Sequence, residues 1–138
     1  MIVAAGLPEP NQPERIANTA RALRLTAWAK DRGAALALHE RLFRDYWAEA
    51  RDLADDAVLL EAAAAVGLDR EQAAPALDDP AQQEAVRSST GTAVALGARG
   101  VPAFVIDRRL LVPGAQPHEL FARVMERLGH EPVAGLGP

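Results

Sequence analysis

Apolar residues recur through the first two thirds of the chain at intervals of three and four, the period of an amphipathic helix. Ile16, Ala20, Leu23 and Ala27, with Trp28 alongside, predict a first helix from Glu14 to Asp31, with Pro13 suiting its start and Gly33 its stop. Leu38, Leu42, Phe43, Tyr46 and Trp47 give a bulky stripe to a second helix, from about Ala34 to Ala50, and place much of the core there. Asp55 caps a third helix that carries Val58, Leu59, Ala62 and Val66 and ends at Gly67. Asp69 with Gln72 has the pattern of a capping box for a short fourth helix. Asp79-Pro80 repeats the device, and the fifth helix reaches about Leu96, with Val86, Ala93 and Val94 on one face and Gly97 as its stop.

From Ala98 the period changes. Phe104, Val105 and Ile106 are strand formers, Asp107-Arg108-Arg109 turns the chain, and Leu110-Leu111-Val112 returns it, which predicts a β-hairpin over Ala103 to Asp107 and Leu110 to Val112. Pro113-Gly114 breaks it. Pro117 then starts a last helix with Leu120, Phe121, Val124 and Leu128 inward, stopped by Gly129. The Gly/Pro-rich tail from Glu131 to Pro138 is expected to be loose, and Met1 to Ala5 reads either as a short strand or as a frayed end.

The expected organisation is one domain over 138 residues: a lead segment 1–13, a helical part 14–97, a hairpin and helix 98–130, and the tail 131–138. Two strands alone are marginal in water, because a single hairpin leaves its edges unpaired. The sheet therefore needs a partner strand, from Met1–Ala5 or from a second copy, and a homodimer through the incomplete sheet is the expectation.

Composition narrows the chemistry. Apolar residues make up 49% of the chain, many of them alanine, and the net charge of -4 lacks the basic footprint of a nucleic-acid binder. The count of cysteines is zero, which removes disulfides, thiolate nucleophiles and cysteine metal ligands. His39, His118 and His130 lie far apart without ligand spacing, and no metal or cofactor is expected. No apolar run reaches membrane-spanning length and the start lacks a signal-peptide pattern, so a cytoplasmic protein without membrane contact is the default.

Three segments carry a resemblance. Asn18-Thr19-Ala20-Arg21-Ala22-Leu23 comes first. Leu42-Phe43-Arg44-Asp45-Tyr46-Trp47 follows, with Leu53-Ala54-Asp55 and Val66-Gly67-Leu68-Asp69 after it. The third is Gly97-Ala98-Arg99-Gly100-Val101-Pro102-Ala103-Phe104, with Pro113-Gly114-Ala115-Gln116-Pro117. In order and spacing they resemble DsbA-like thiol–disulfide oxidoreductases of the FrnE type, from Asn18 to Leu128. The resemblance implies an α/β fold: an incomplete thioredoxin-like fold with a large inserted helical domain and one hairpin.

Family members begin with a strand, a Cys-x-x-Cys helix and a second parallel strand, and no such unit precedes Asn18 here. The resemblance therefore implies an oxidoreductase that cannot perform dithiol exchange by itself, truncated or dependent on a partner's dithiol. It assigns no catalytic residue. It does assign Val101 and Pro102, which match the family's proline loop, where a usually cis proline borders the dithiol and presents a backbone edge to substrate. Two alternatives stand beside it: a non-catalytic module binding peptides or small molecules on the same scaffold, and a glutathione-dependent isomerase of the 2-hydroxychromene-2-carboxylate type.

Other residues have two readings each. Arg108 and Arg109 read as a solvated hairpin tip or as an anion site. Ser88-Ser89-Thr90-Gly91-Thr92 lacks the lysine and context of a P-loop and is expected to serve close helix packing. Phe43, Tyr46 and Trp47 read as core, or as the border of an apolar groove. Asp55, Asp69 and Asp79 read as helix caps.

Overall fold

A computed structural model describes Asn11 and residues 16–130. These residues form α1 (Ala20–Lys30), α2 (Ala35–Trp47), α3 (Asp56–Ala65), α4 (Arg70–Ala73), a 3-10 turn (Ala74–Leu77) and α5 (Pro80–Ala95). The hairpin strands β1 (Ala103–Ile106) and β2 (Leu110–Pro113) come next, then α6 (His118–Arg127). The layout is predominantly helical with one antiparallel two-strand sheet, as the hydrophobic periods predict. The expected strand at Met1–Ala5 and the tail 131–138 lie outside the described residues.

The chain divides into two compact units, Met1–Ser89 and Thr90–Pro138. The core of the first is built from Leu25, Trp28 and Ala29 of α1, Leu38 and Leu42 of α2, and Val58, Leu59, Ala62 and Ala63 of α3. Leu53, Ala73, Ala76 and Leu77 close it. Alanine at Ala29, Ala62, Ala63 and Ala73, all fully buried, lets the helix backbones approach where a larger side chain would hold them apart.

The first helix starts six residues later than its period predicts. The Asn18 side chain accepts a hydrogen bond from the Ala20 N–H at 3.0 Å, satisfying one of the donors a helix start leaves open. Ile16, expected on the buried face, is 97% exposed. Pro13 and Glu14 lie outside the described residues.

The three aspartates cap their helices as expected, though at Asp69 only one half of the expected capping box forms, with no return bond from the Gln72 side chain. Asp55 accepts from the Ala57 N–H at 2.8 Å, Asp69 from the Gln72 N–H at 2.8 Å, and Asp79 from the Ala81 N–H at 2.8 Å. Each such cap contributes about 1 kcal/mol.

Two packing expectations are overturned. Phe43 and Trp47 are about half exposed; in α2 the buried positions are Leu38, Leu42 and Asp45, with Tyr46 half-buried against the core. The stripe is rotated because Asp45 is held inside. α5 buries no residue: Val94 is exposed, and a Cβ added at Gly91 would meet nothing within 4 Å. Close packing therefore does not explain the Ser88–Thr92 run. Its residues lie on an exposed stretch of α5.

Arg21 ties the helical unit together. Its Nη1 donates to both carboxylate oxygens of Asp56 at 2.7 Å, and its Nη2 to both oxygens of Asp78 at 2.9 Å. Arg24 adds a bond to the Leu77 carbonyl at 2.7 Å. These bonds fasten α1 to the start of α3 and to the end of the 3-10 turn.

Candidate functional site

The site is built on the loop that enters β1. The Val101–Pro102 peptide bond is cis. The Pro102 carbonyl accepts a hydrogen bond from the Gly114 N–H at 2.8 Å, which pins the loop to the residue leaving β2. Gly114 has φ +77°, a conformation that side chains beyond glycine adopt at a cost. The Gln116 amide then donates to the Pro113 carbonyl at 2.8 Å, satisfying the group that Gly114's turn exposes. The run Pro113-Gly114-Ala115-Gln116-Pro117 is thus the support of the proline loop, and Pro117 stands at the N-terminal boundary of α6 without a side-chain hydrogen bond.

Pairing in the hairpin runs Ala103 to Pro113, Phe104 to Val112, Val105 to Leu111 and Ile106 to Leu110. The turn places Asp107 and Arg108 at φ +53° and +55°, and the Arg109 N–H donates to the Ile106 carbonyl at 3.0 Å. Positive φ at both central residues matches the right-handed twist of the strands. Phe104 meets Phe121 edge to face, with ring centroids 4.9 Å apart, and so links α6 to the sheet. His130 reaches Asp107 at 2.8 Å beyond the end of α6.

The arrangement leaves Val101 97% exposed at the loop tip. Beside it runs an open groove of about 610 Å³, bordered by Thr90, Ala93, Val94, Gly97 and Val101. Its walls are small or apolar, and Arg99 is its one charged lining residue. Among the described residues β1 pairs only with β2, and no described strand lies along its other edge. Such an edge can take an extended peptide through main-chain hydrogen bonds, with side-chain pockets providing selectivity. There is no cysteine anywhere in the chain, so the site holds no thiolate.

The remaining candidates separate in space. Arg108 sits in the hairpin turn, whereas Arg109 lines a second pocket with α6. His39 packs on Phe43 at 4.5 Å, and His130 is engaged by Asp107, so the histidines form no common cluster. Among the described residues no group of three or more His, Asp or Glu side chains has metal-ligand spacing.

Sequence reasoning passed over Asp45. It is fully buried, accepts from Arg41 Nε at 2.9 Å and lies 3.6 Å from Arg51. Arg51 also grips Glu61 and holds its carboxyl below the ordinary 4.5. The (i, i+4) spacing of Arg41 and Asp45 was the available signal, but an exposed pair has the same spacing.

Comparison with known proteins follows the same lines. A family model described as a DsbA-like thioredoxin domain matches residues 4–126. Among solved structures, the crystal structure of a probable DsbA oxidoreductase from Streptomyces coelicolor superposes with a TM-score of 0.83 at 36% sequence identity. The alignment covers 99% of this chain and 59% of that one, so the present chain spans somewhat over half the length of that relative. No curated protein sequence matches. A proline loop pinned by Gly114, a hairpin touching α6 through Phe104 and Phe121, a helical unit around Leu25, Leu38 and Leu59, and a match over 4–126 are one pattern, and by it this cysteine-free chain belongs to the DsbA-like thioredoxin-domain family.

Proposed function

We propose that the chain is the substrate-docking part of a DsbA-like oxidoreductase of the FrnE type. In this reading the Val101–Pro102 loop and the open edge of β1 receive an extended peptide, and any dithiol exchange uses sulfur supplied from outside these 138 residues. The observation that carries the reading is Val101: an apolar side chain, 97% exposed, on a loop that Gly114 holds in place. An apolar loop tip beside a strand edge that is unpaired among the described residues suits binding more than it suits stability. Thiol–disulfide exchange needs a thiolate as attacking group, and this sequence provides none.

A second reading is a homodimer through the incomplete sheet, in which a second copy takes the edge of β1 in place of the peptide. Phe104, Val105 and Leu110 are each about 40% exposed, more than a lone two-strand sheet leaves open at no cost. Sedimentation at micromolar concentration is expected to give a dimer; a monomer at that concentration contradicts it.

The docking test uses fluorescence anisotropy with a labelled eight-residue peptide of alternating apolar and polar residues. Saturable binding is expected to weaken about ten-fold or more in Val101→Asp, with an unchanged unfolding midpoint. Equal binding by parent and variant, or none at millimolar peptide, overturns the reading.

A further inference from the structure

The second unit carries another pocket, apart from the proline loop. It has a volume of about 660 Å³ and lies between the hairpin tip and α6. Leu110, Leu120, Val124 and Leu128 form an apolar floor, the last three on one stripe of the helix. Arg109 stands on the hairpin side, and Arg123 and Arg127 stand one turn apart on α6.

These three arginines have no ion pair among the described residues. The one carboxylate at the hairpin tip, Asp107, is already engaged by His130 at 2.8 Å. Like charges at (i, i+4) repel, and holding Arg123 and Arg127 in that relation costs helix stability. Favourable interaction with the helix C-terminus accounts for Arg127 in the last turn, and Glu119 stands four residues before Arg123 without closing to an ion pair; neither accounts for Arg109. The local charge also runs against that of the chain. Residues 90–130 hold five arginines against three carboxylates, in a protein whose net charge is -4.

We propose that this pocket binds a small amphipathic carboxylate: an apolar body of roughly six to ten carbons on the leucine floor, and the carboxylate between the guanidinium groups. The volume lies within the roughly 300–1,000 Å³ of small-molecule sites, and the lining has their composition, an apolar surface with a few converging polar groups. Guanidinium groups match a carboxylate with paired N–H donors, a geometry that lysine at the same positions would not give. Filling the pocket covers the leucine floor and relieves the repulsion between Arg123 and Arg127. This site is independent of the docking loop, and either can fail without the other.

The test titrates the full chain with 4-phenylbutyrate and, in parallel, with 4-phenylbutanol, which keeps the apolar body and lacks the charge. Amide spectra follow both. The carboxylate is expected to saturate, with shifts centred on residues 109–112 and 120–128, and the alcohol to bind about ten-fold more weakly or worse. The double variant Arg123→Gln/Arg127→Gln is expected to lose the same factor while its unfolding midpoint does not fall, since both side chains are exposed and their mutual repulsion is removed. Equal affinity for the alcohol overturns the proposal. So does the absence of saturation at millimolar carboxylate, or shifts centred on Val94 and Val101. A double variant that sediments as a monomer where the parent is a dimer also overturns it, by making this face a contact between copies.

Discussion

Asp45 and Ala50 show how one end of α2 is made. Asp45 is enclosed with Arg41 and Arg51 around it, and its carbonyl accepts from the Arg51 N–H at 2.8 Å. Ala50, at φ +52°, turns the chain out of the helix where glycine is usual. The αL penalty for a Cβ is about 1–2 kcal/mol, and glycine's greater freedom in the unfolded chain returns about 0.5–1 of it. Ala50→Gly is therefore expected to stabilise the protein by about 0.5 kcal/mol in urea denaturation.

Glu61 supplies a pH dependence at the same scale. Its carboxyl is held below 4.5 chiefly by the hydrogen bond from Arg51. A depressed carboxylate contributes stability above its unfolded value and loses it as the pH falls through the folded one. The denaturation midpoint is expected to drop as the pH goes below about 4.5, and Glu61→Gln to show a shallower drop over that window. Parallel curves for parent and variant would show that the contact with Arg51 contributes nothing.

Among the elements, the hairpin and its support were legible. Phe104-Val105-Ile106 and Leu110-Leu111-Val112 alternate with turn residues between them, and the strands form where that pattern puts them. The caps at Asp55, Asp69 and Asp79 were legible too, because a cap is a local bond between near neighbours. Side-chain facing was harder to read. Phe43 and Trp47 are large and apolar, yet Asp45 takes the inward position between them, held by arginines that come from two separate places in the sequence.

The proline loop was found because its residues repeat a known pattern. The bond from the Gly114 N–H to the Pro102 carbonyl, twelve residues apart, leaves no periodic trace. It predicts that Gly114→Ala disturbs the loop through backbone strain alone, since a Cβ there meets the Gln116 side chain at an ordinary 3.6 Å. The expected cost is about 1–2 kcal/mol, read by thermal unfolding, with peptide affinity falling alongside.

At the scale of the whole molecule, burial is uneven. The core cluster draws all its residues from Ala22 to Leu77, whereas among described residues 90–130 the buried side chain is Val112 alone. Leu59→Ala removes a fully buried side chain and is expected to cost about 3 kcal/mol, while Val101→Asp, at the exposed loop, is expected to change stability by less than about 0.5 kcal/mol. Amide exchange is expected to follow the same division: slowest in α1, α2 and α3, faster in the hairpin and α6.

Photo-crosslinking reads the proposed docking of an extended peptide directly. An extended apolar peptide carrying one benzoylphenylalanine is irradiated with the chain and the adduct is mapped by mass spectrometry. Adducts are predicted at residues 94–105, along the groove, the loop and β1. Adducts confined to the helical unit, or spread evenly over the chain, would contradict the central claim.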